Sequence, residues 1–184
     1  MPSIYVASLT DYNNGVLHGA WIDADQDPDA IHEEVEAMLA ASPTARKYGE
    51  KAEEWAIHDY EDFDGIPVSE WDSFERVSTL AALLKDQPAA IVAHFIGDGH
   101  ELDEIADLIS DRLLGEYDES TELKAVAAHE YELMEGRSDI PDDIRDHLQA
   151  VAESMAESSI NGGEVYTIEA RGPVGSTFYV MSQC

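Results

Sequence analysis

The chain has a single cysteine in 184 residues, Cys184 at the last position, so it holds neither an internal disulfide nor the thiolates of a structural zinc site. A terminal thiol of this kind is expected to be frayed and exposed. No run of 18 apolar residues occurs, which argues against a membrane-spanning helix. The start, Met1-Pro2-Ser3-Ile4, has no basic region leading into an apolar stretch, so no secretory signal is expected and the cytoplasm is the default location. Basic residues are scarcest of all. Ten Lys and Arg stand against forty Asp and Glu, a formal charge of −30. No folding requirement explains that number, because like charges on a compact body repel one another. Such a surface does not attract nucleic acid, whose phosphates carry the same sign.

Catalytic motifs are also missing. There is no Gly-x-Ser-x-Gly, P-loop or Gly-x-Gly-x-x-Gly, so hydrolase, nucleotidase and dinucleotide chemistry lack a starting point. His32-Glu33 and His129-Glu130 each lack the second histidine, four residues after the first, that a zinc-protease helix requires. Asp23, Asp25 and Asp27, with Glu34, fall in the register of a calcium loop, but Pro28 occupies the position that needs glycine and more naturally opens a helix. With no nucleophile and no ligand set, no catalytic residue, metal or cofactor is expected, and the chain reads as a binding protein.

Hydrophobic residues make up 44% of the chain and are spread through it, as in a folded protein. Ile4 to Leu9 and Val16 to Ile22 read as strands of a β-hairpin, with Asn14-Gly15 supplying the turn. Alternation places Tyr5, Trp21 and Trp55 in the core of that sheet. Trp71, near a helix start, fits either core or surface. Asp27 caps a helix opened by Pro28 and carrying Ile31, Val35, Met38 and Leu39 until Ser42-Pro43. Trp55 to Asp59 reads as a third strand, followed by an acidic loop from Glu61 to Gly65.

From Ser69 the pattern turns helical. One stripe runs Phe74, Val77, Leu80, Ala81 and Leu84; a second covers Ala89 to Ile96; a third runs Leu102, Ile105, Ala106, Ile109 and Leu113. Gly115 reads as the cap of the third helix. Two more helices follow, Ser120 to Leu133 and one opened by Pro141 with Ile144, Leu148, Val151 and Met155, ended by Asn161-Gly162-Gly163. Two strands, Val165 to Glu169 and Thr177 to Met181, close the chain around a turn at Arg171 to Gly175. The expected class is α+β in three small modules: 1–66, an antiparallel sheet with a helix; 67–115, helical; and 116–184, helices with a small sheet.

The acids lie in four stretches. Asp23 to Glu36 holds seven and no base, Glu50 to Asp64 seven with Lys51, Asp98 to Glu122 ten with Arg112, and Glu130 to Asp146 seven with Arg137 and Arg145. Asp103, Glu104, Asp107 and Asp111 recur at steps of three and four, opposite the apolar stripe of their helix, where like charges oppose helix formation by roughly a few tenths of a kcal/mol per pair. Thirty charges match roughly 50 Å of duplex DNA, since the duplex carries about one charge per 1.7 Å of axis. Composition alone leaves two readings open: a carboxylate surface that satisfies the cations of a DNA-binding groove, or an acidic surface that serves hydration in high salt.

Four stretches, in order, resemble the ArdA antirestriction proteins. They are Ile4 to Asp23 (Ile4-Tyr5-Val6-Ala7-Ser8-Leu9, then Tyr12-Asn13-Asn14-Gly15-Val16-Leu17-His18-Gly19-Ala20-Trp21-Ile22-Asp23), Glu54-Trp55-Ala56-Ile57-His58-Asp59-Tyr60-Glu61, Leu113-Leu114-Gly115-Glu116-Tyr117-Asp118-Glu119, and Gly162-Gly163-Glu164-Val165-Tyr166-Thr167-Ile168-Glu169. The resemblance implies an elongated, curved α+β homodimer that mimics bent B-form DNA. Its implied target is the methyltransferase core of type I restriction-modification enzymes, where it blocks restriction, with the associated modification as a second candidate target. Another DNA-binding protein remains the alternative target. The third stretch looks like the family's antirestriction motif and implies that Leu113, Leu114, Gly115, Glu116, Tyr117 and Asp118 serve the dimer contact, against the plainer reading of a capped helix end with a packed tyrosine. This chain departs from the family at Ser120-Thr121-Glu122-Leu123 and in the longer turn from Arg171 to Ser176. The carboxylates expected to stand for phosphates are Asp25, Asp27, Asp29, Glu33 and Glu36; Glu61, Asp62 and Asp64; Asp98, Glu101, Asp103, Glu104, Asp107 and Asp111; and Glu116, Asp118, Glu119 and Glu122.

Overall fold

In a computed structural model of the chain, residues 1–135, 141 and 147–183 are described. The expected positions of Ile144, of the acids from Asp142 to Asp146 and of Cys184 lie outside them. Eight helices and two three-stranded antiparallel sheets occur among the described residues, an α+β arrangement. Contacts divide the chain into two compact units, Met1–Val92 and Ala93–Cys184.

The first unit contains β1 (Ser3–Ser8), α1 (Leu9–Asn13), β2 (Gly19–Asp23), α2 (Pro28–Ala40), α3 (Pro43–Tyr48), β3 (Trp55–Glu61), α4 (Phe74–Asp86) and the start of α5 (Ala89–Gly97). Its sheet has the order β2-β1-β3. The strands β1 and β2 pair antiparallel as expected, but the link between them is not a two-residue turn. Ser8 caps a short helix, accepting the Asp11 N–H at 3.3 Å, and only Gly15 takes a positive φ, of 75°. Strand β2 therefore starts at Gly19 rather than Val16. Helix α2 follows expectation: Asp27 accepts the Asp29 N–H at 2.9 Å, Pro28 opens the first turn, and Ile31, Val35, Met38 and Leu39 are buried.

Which face of the sheet is buried differs from the sequence expectation. Ile4, Val6, Ile22 and Ile57 point inward, while Tyr5 pairs with Trp21 on the opposite face and Trp21 is 46% exposed. Both faces of these strands carry apolar residues, so alternation alone does not say which faces the core, and packing against helices selects the β-branched set. Trp55 is on the inner face, half-buried, and stacks on Phe74 of α4 at 4.3 Å; His32 of α2 meets the same phenyl ring edge-on at 4.6 Å. Phe74 thereby joins sheet, α2 and α4. Trp71 is 66% exposed in the turn before α4.

The second unit contains the end of α5, α6 (Leu102–Arg112), β4 (Leu113–Asp118), α7 (Glu122–Glu135), α8 (Leu148–Gly162), β5 (Val165–Arg171) and β6 (Ser176–Ser182). Leu113 to Asp118 form a strand, which corrects both the reading of Leu113 as part of the preceding helical stripe and that of Gly115 as a helix cap. Strand β4 pairs with β6, and the sheet order is β4-β6-β5, with the two expected C-terminal strands in place. Helix α6 buries Leu102, Ile105 and Ile109, while Ala106 is exposed. Helices α7 and α8 pack together, and Ala125, Val126, Ala127 and Ala156 form a small-residue core with Phe178 and Val180 of β6.

One acid is fully enclosed. Asp11 has no exposed surface, its Oδ1 accepts the Thr44 N–H of α3 at 2.9 Å, and Ser8, Ser42 and Thr44 are buried with it. Burial alone would raise its carboxyl, but the hydroxyls of Ser42, Thr44 and Ser8 and the Thr44 N–H outweigh that and hold it well below its ordinary value of 3.8. The ionised carboxylate ties α1 to the start of α3. A folded-state value below the unfolded one means that this contribution is complete above the ordinary carboxylate range and is lost as pH falls through and below it. Asp11→Asn is expected to cost about 1–3 kcal/mol at neutral pH, because buried donors lose a charged acceptor. Urea unfolding of both chains from about pH 7 down to about pH 3 checks this, and the gap between the two midpoints should begin to narrow toward the acid end.

Candidate functional site

Among the described residues no cluster of His, Cys, Asp and Glu could hold a metal ion, and the feature that sets this chain apart is its carboxylate surface. Of the acids expected to stand for phosphates, Asp27, Asp29, Glu33, Glu36, Glu61, Asp62, Asp64, Asp98, Glu101, Asp103, Glu104, Asp107, Asp111, Glu116, Asp118 and Glu122 are exposed, and Asp25 and Glu119 are partly so. Helical and strand periodicity produce this: apolar positions take the inward face, leaving acids outward.

Helix α6 gives the densest array of acids without an internal partner. Asp103, Glu104, Asp107 and Asp111 span about 12 Å of axis at 1.5 Å per residue, one charge per roughly 3–4 Å, close to the spacing of about 3.4 Å along one strand of duplex DNA. Asp103 and Glu104 lie in the first turn, where the helix dipole favours them. Asp111 lies near the end, where the dipole opposes it, and Arg112 beside it offsets that. Glu101 stands at the N-cap with no side-chain capping bond, so its carboxylate is left to solvent.

Several acids have internal partners. Asp25 pairs with Lys85 at 2.7 Å, Asp62 with the Met1 amine at 2.8 Å, and Asp98 with His94 at 3.4 Å. The Lys85 ammonium is raised above its ordinary value, first by its bond to Asp25. Asp27 is a helix cap, and Asp118 and Glu122 accept from the hydroxyls of Thr177 at 2.6 Å and Thr167 at 3.1 Å. The calcium-loop register dissolves into local roles in the same way: Asp23 accepts the Asp25 N–H, and Glu34 accepts from Gln26. Among the described residues, the side chains of the four α6 acids, with those of Asp29, Glu33, Glu36, Glu61 and Glu116, make no ion pair or hydrogen bond and remain available.

The stretch Leu113 to Asp118 is an edge strand whose side chains alternate. Leu114 is 41% exposed, Glu116 and Asp118 point to solvent, and Leu113, Gly115 and Tyr117 are partly covered. The Tyr117 hydroxyl donates to Glu132 Oε2 at 2.8 Å and lies 3.1 Å from His129 Nδ1; its one proton being given to Glu132, the imidazole is the donor in the second contact. His129 is buried, and beside it the buried Glu130 accepts from the Ser159 hydroxyl of α8 at 3.2 Å. Glu130, within the fourth acidic stretch, is thus turned inward. The Tyr117 ring lies across Gly115, where a Cβ would come within 2.7 Å of it. This network was not visible in the sequence; the His-Glu pair at 129–130 was its only trace.

Burial, then the bond to Glu132, hold the Tyr117 phenol well above its ordinary value of 10.0. In a spectrophotometric alkaline titration Tyr117 is expected among the last tyrosines to ionise. Tyr117→Phe should remove that late component, and Gly115→Ala should bring it back toward the ordinary range by displacing the ring. A Gly115→Ala chain titrating like the wild type would show that the ring does not need the glycine.

Residues 4–169 match the family model described as Antirestriction protein (ArdA). No curated protein matches the chain. The matched span takes in the first sheet from Ile4 onward, β4, and β5 as far as Glu169, and stops before the Gly172–Gly175 turn and β6. No helix among the described residues is long and apolar enough to cross a membrane.

Proposed function

Because the chain belongs to the ArdA family of antirestriction proteins, we propose that its exposed carboxylates stand in for DNA phosphates and occupy the DNA-binding groove of type I restriction-modification enzymes, inhibiting restriction. The observation that carries this is the outward, unpaired carboxylate array, densest on α6, at a linear density near that of one DNA strand. Groove arginines donate to carboxylates in the bidentate manner they use for phosphate. The surface acts through many weak contacts, and the methyltransferase core is the partner. The protein works as a homodimer through β4. Its position at a sheet edge supports this, since an edge strand offers unpaired backbone N–H and C=O groups to a second chain, and Leu114 adds an exposed apolar side chain. Tyr117, bonded to α7, anchors the strand.

Gel-shift competition between DNA and this protein for a purified type I methyltransferase core tests the reading. An excess of the protein is expected to displace the DNA, less effectively as salt rises, because the contacts are ionic. Asp103→Lys, Asp107→Lys and Asp111→Lys are each expected to weaken displacement roughly two- to five-fold, as for exposed ion pairs. Abolition by any one of them would point to a localised site, and no displacement by the wild-type chain would sink the reading.

A further inference from the structure

The outer face of the first sheet carries a feature that charge alone does not explain. Register places Asp23, Ser3 and Glu61 in one cross-strand row and Trp21, Tyr5 and Asp59 in the next, on β2, β1 and β3 in turn. Rows lie about 7 Å apart and neighbouring strands about 4.8 Å apart, so three carboxylates surround two aromatic rings. The opposite end of this face is closed, with Ala7 and Ala56 buried. Tyr5 serves the fold itself, because its ring fills the space over Gly19, where a Cβ would meet it at 2.7 Å. Trp21 contributes less to packing. It touches Tyr5 at 5.5 Å between ring centroids and is 46% exposed, and its indole N–H makes no bond among the described residues. Asp23, Asp59 and Glu61 are exposed and have no ion pair among the described residues, although Asp23 accepts the Asp25 N–H and Asp59 the Tyr60 N–H; the positive groups that act on Asp23, the Met1 amine and the Lys85 ammonium, pair with Asp62 and Asp25.

An exposed indole between unpaired carboxylates suits one cation above others. Guanidinium is planar, stacks on an aromatic face and keeps its edge donors for carboxylates, whereas an ammonium is a strongly hydrated point charge. We propose that this sheet face is a docking surface for an arginine-bearing basic protein groove, with guanidinium planes stacked on Trp21 and held at their edges by Asp23, Asp59 and Glu61. The identity of the partner rests on the DNA-mimic reading; the preference for arginine rests on the face itself. The face then recognises the groove by side-chain type, which a uniform carboxylate surface does less well.

Titration calorimetry of the full chain with deca-arginine and with deca-lysine reads the face, because the two peptides carry equal charge. The wild-type chain is expected to prefer deca-arginine. Trp21→Ala should lower the arginine-to-lysine affinity ratio by roughly two- to five-fold, and Trp21→Phe by less. Asp23→Asn combined with Asp59→Asn should weaken both peptides. Where Trp21→Ala fails to fold, Trp21→Phe and the emission of the Trp71→Phe chain carry the test, since deca-arginine should quench Trp21 more than deca-lysine does. An unchanged ratio in folded Trp21→Ala, or equal quenching by the two peptides, overturns the proposal. DNA displacement from the methyltransferase core scores the other reading separately. A chain that displaces no DNA yet shows the Trp21-dependent ratio keeps the arginine face and overturns the mimic. A chain that displaces DNA with its ratio independent of Trp21 overturns only the face.

Discussion

Repulsion among forty carboxylates, offset by ten basic side chains, is the constraint under which every element of this fold is built. The chain meets it by local devices. Acids occupy the first turns of α2, α4, α6 and α7, as Asp29, Glu75, Asp103 with Glu104, and Glu122, where the positive end of the helix dipole receives them. Hydroxyls rather than acids do the capping at α1, α3 and α4, through Ser8, Ser42 and Ser73. The last turns of α2, α7 and α8 carry no base at all, so those helices stand on packing rather than on dipole compensation.

Two acids turned inward show how strict the constraint is. A carboxylate leaves water only where donors replace its hydration. Asp11 meets that condition at Oδ1 with the Thr44 N–H, among three buried hydroxyl residues, while its Oδ2 has no hydrogen-bond partner among the described residues; it becomes the join between α1 and α3. Glu130 meets it with the Ser159 hydroxyl, and lies on the contact between α7 and α8. The two acids sit in different settings: α1 and α3 are short, five and six residues long, whereas α7 and α8 pack closely along a seam made largely of alanine. In each, the polar link adds a directional contact to the apolar one.

How far the sequence could be read follows from where each decision was made. Helix α2 was legible because its cap, its opening proline and its apolar period are all local. The strands β1 and β3 were legible by composition, but the burial of Tyr5 and Trp21 was not, since both faces of β1 and β2 bear apolar side chains and only the packing of α2 and α4 chooses between them. Strand β4 was missed for a non-local reason. Leu113 continues the four-residue step from Ile109, and no breaker separates α6 from β4; what makes the segment a strand is β6, far along the chain. The exposure of the α6 acids followed from period, whereas the loss of Asp25 to Lys85 did not, because that pair joins elements sixty positions apart.

The two sheets share one packing device, and it bears on how the motif-like stretch should be understood. In each, a tyrosine ring lies over a glycine: Tyr5 over Gly19 across two strands, and Tyr117 over Gly115 along one. A glycine weakens a strand unless a neighbouring ring covers the gap it leaves, and the ring in turn can lie flat only where no Cβ stands. Gly115 and Tyr117 therefore specify each other, and the hydroxyl at the end of that ring reaches α7. The glycine and tyrosine of Leu113-Leu114-Gly115-Glu116-Tyr117-Asp118 are thus explained by the placing of β4, which leaves Leu114, Glu116 and Asp118, the outward residues of the same strand, as the side chains able to meet another molecule. Loss of function at the two sets then has different physical meanings: at the first the strand moves, and at the second the strand stays while its outward chemistry changes.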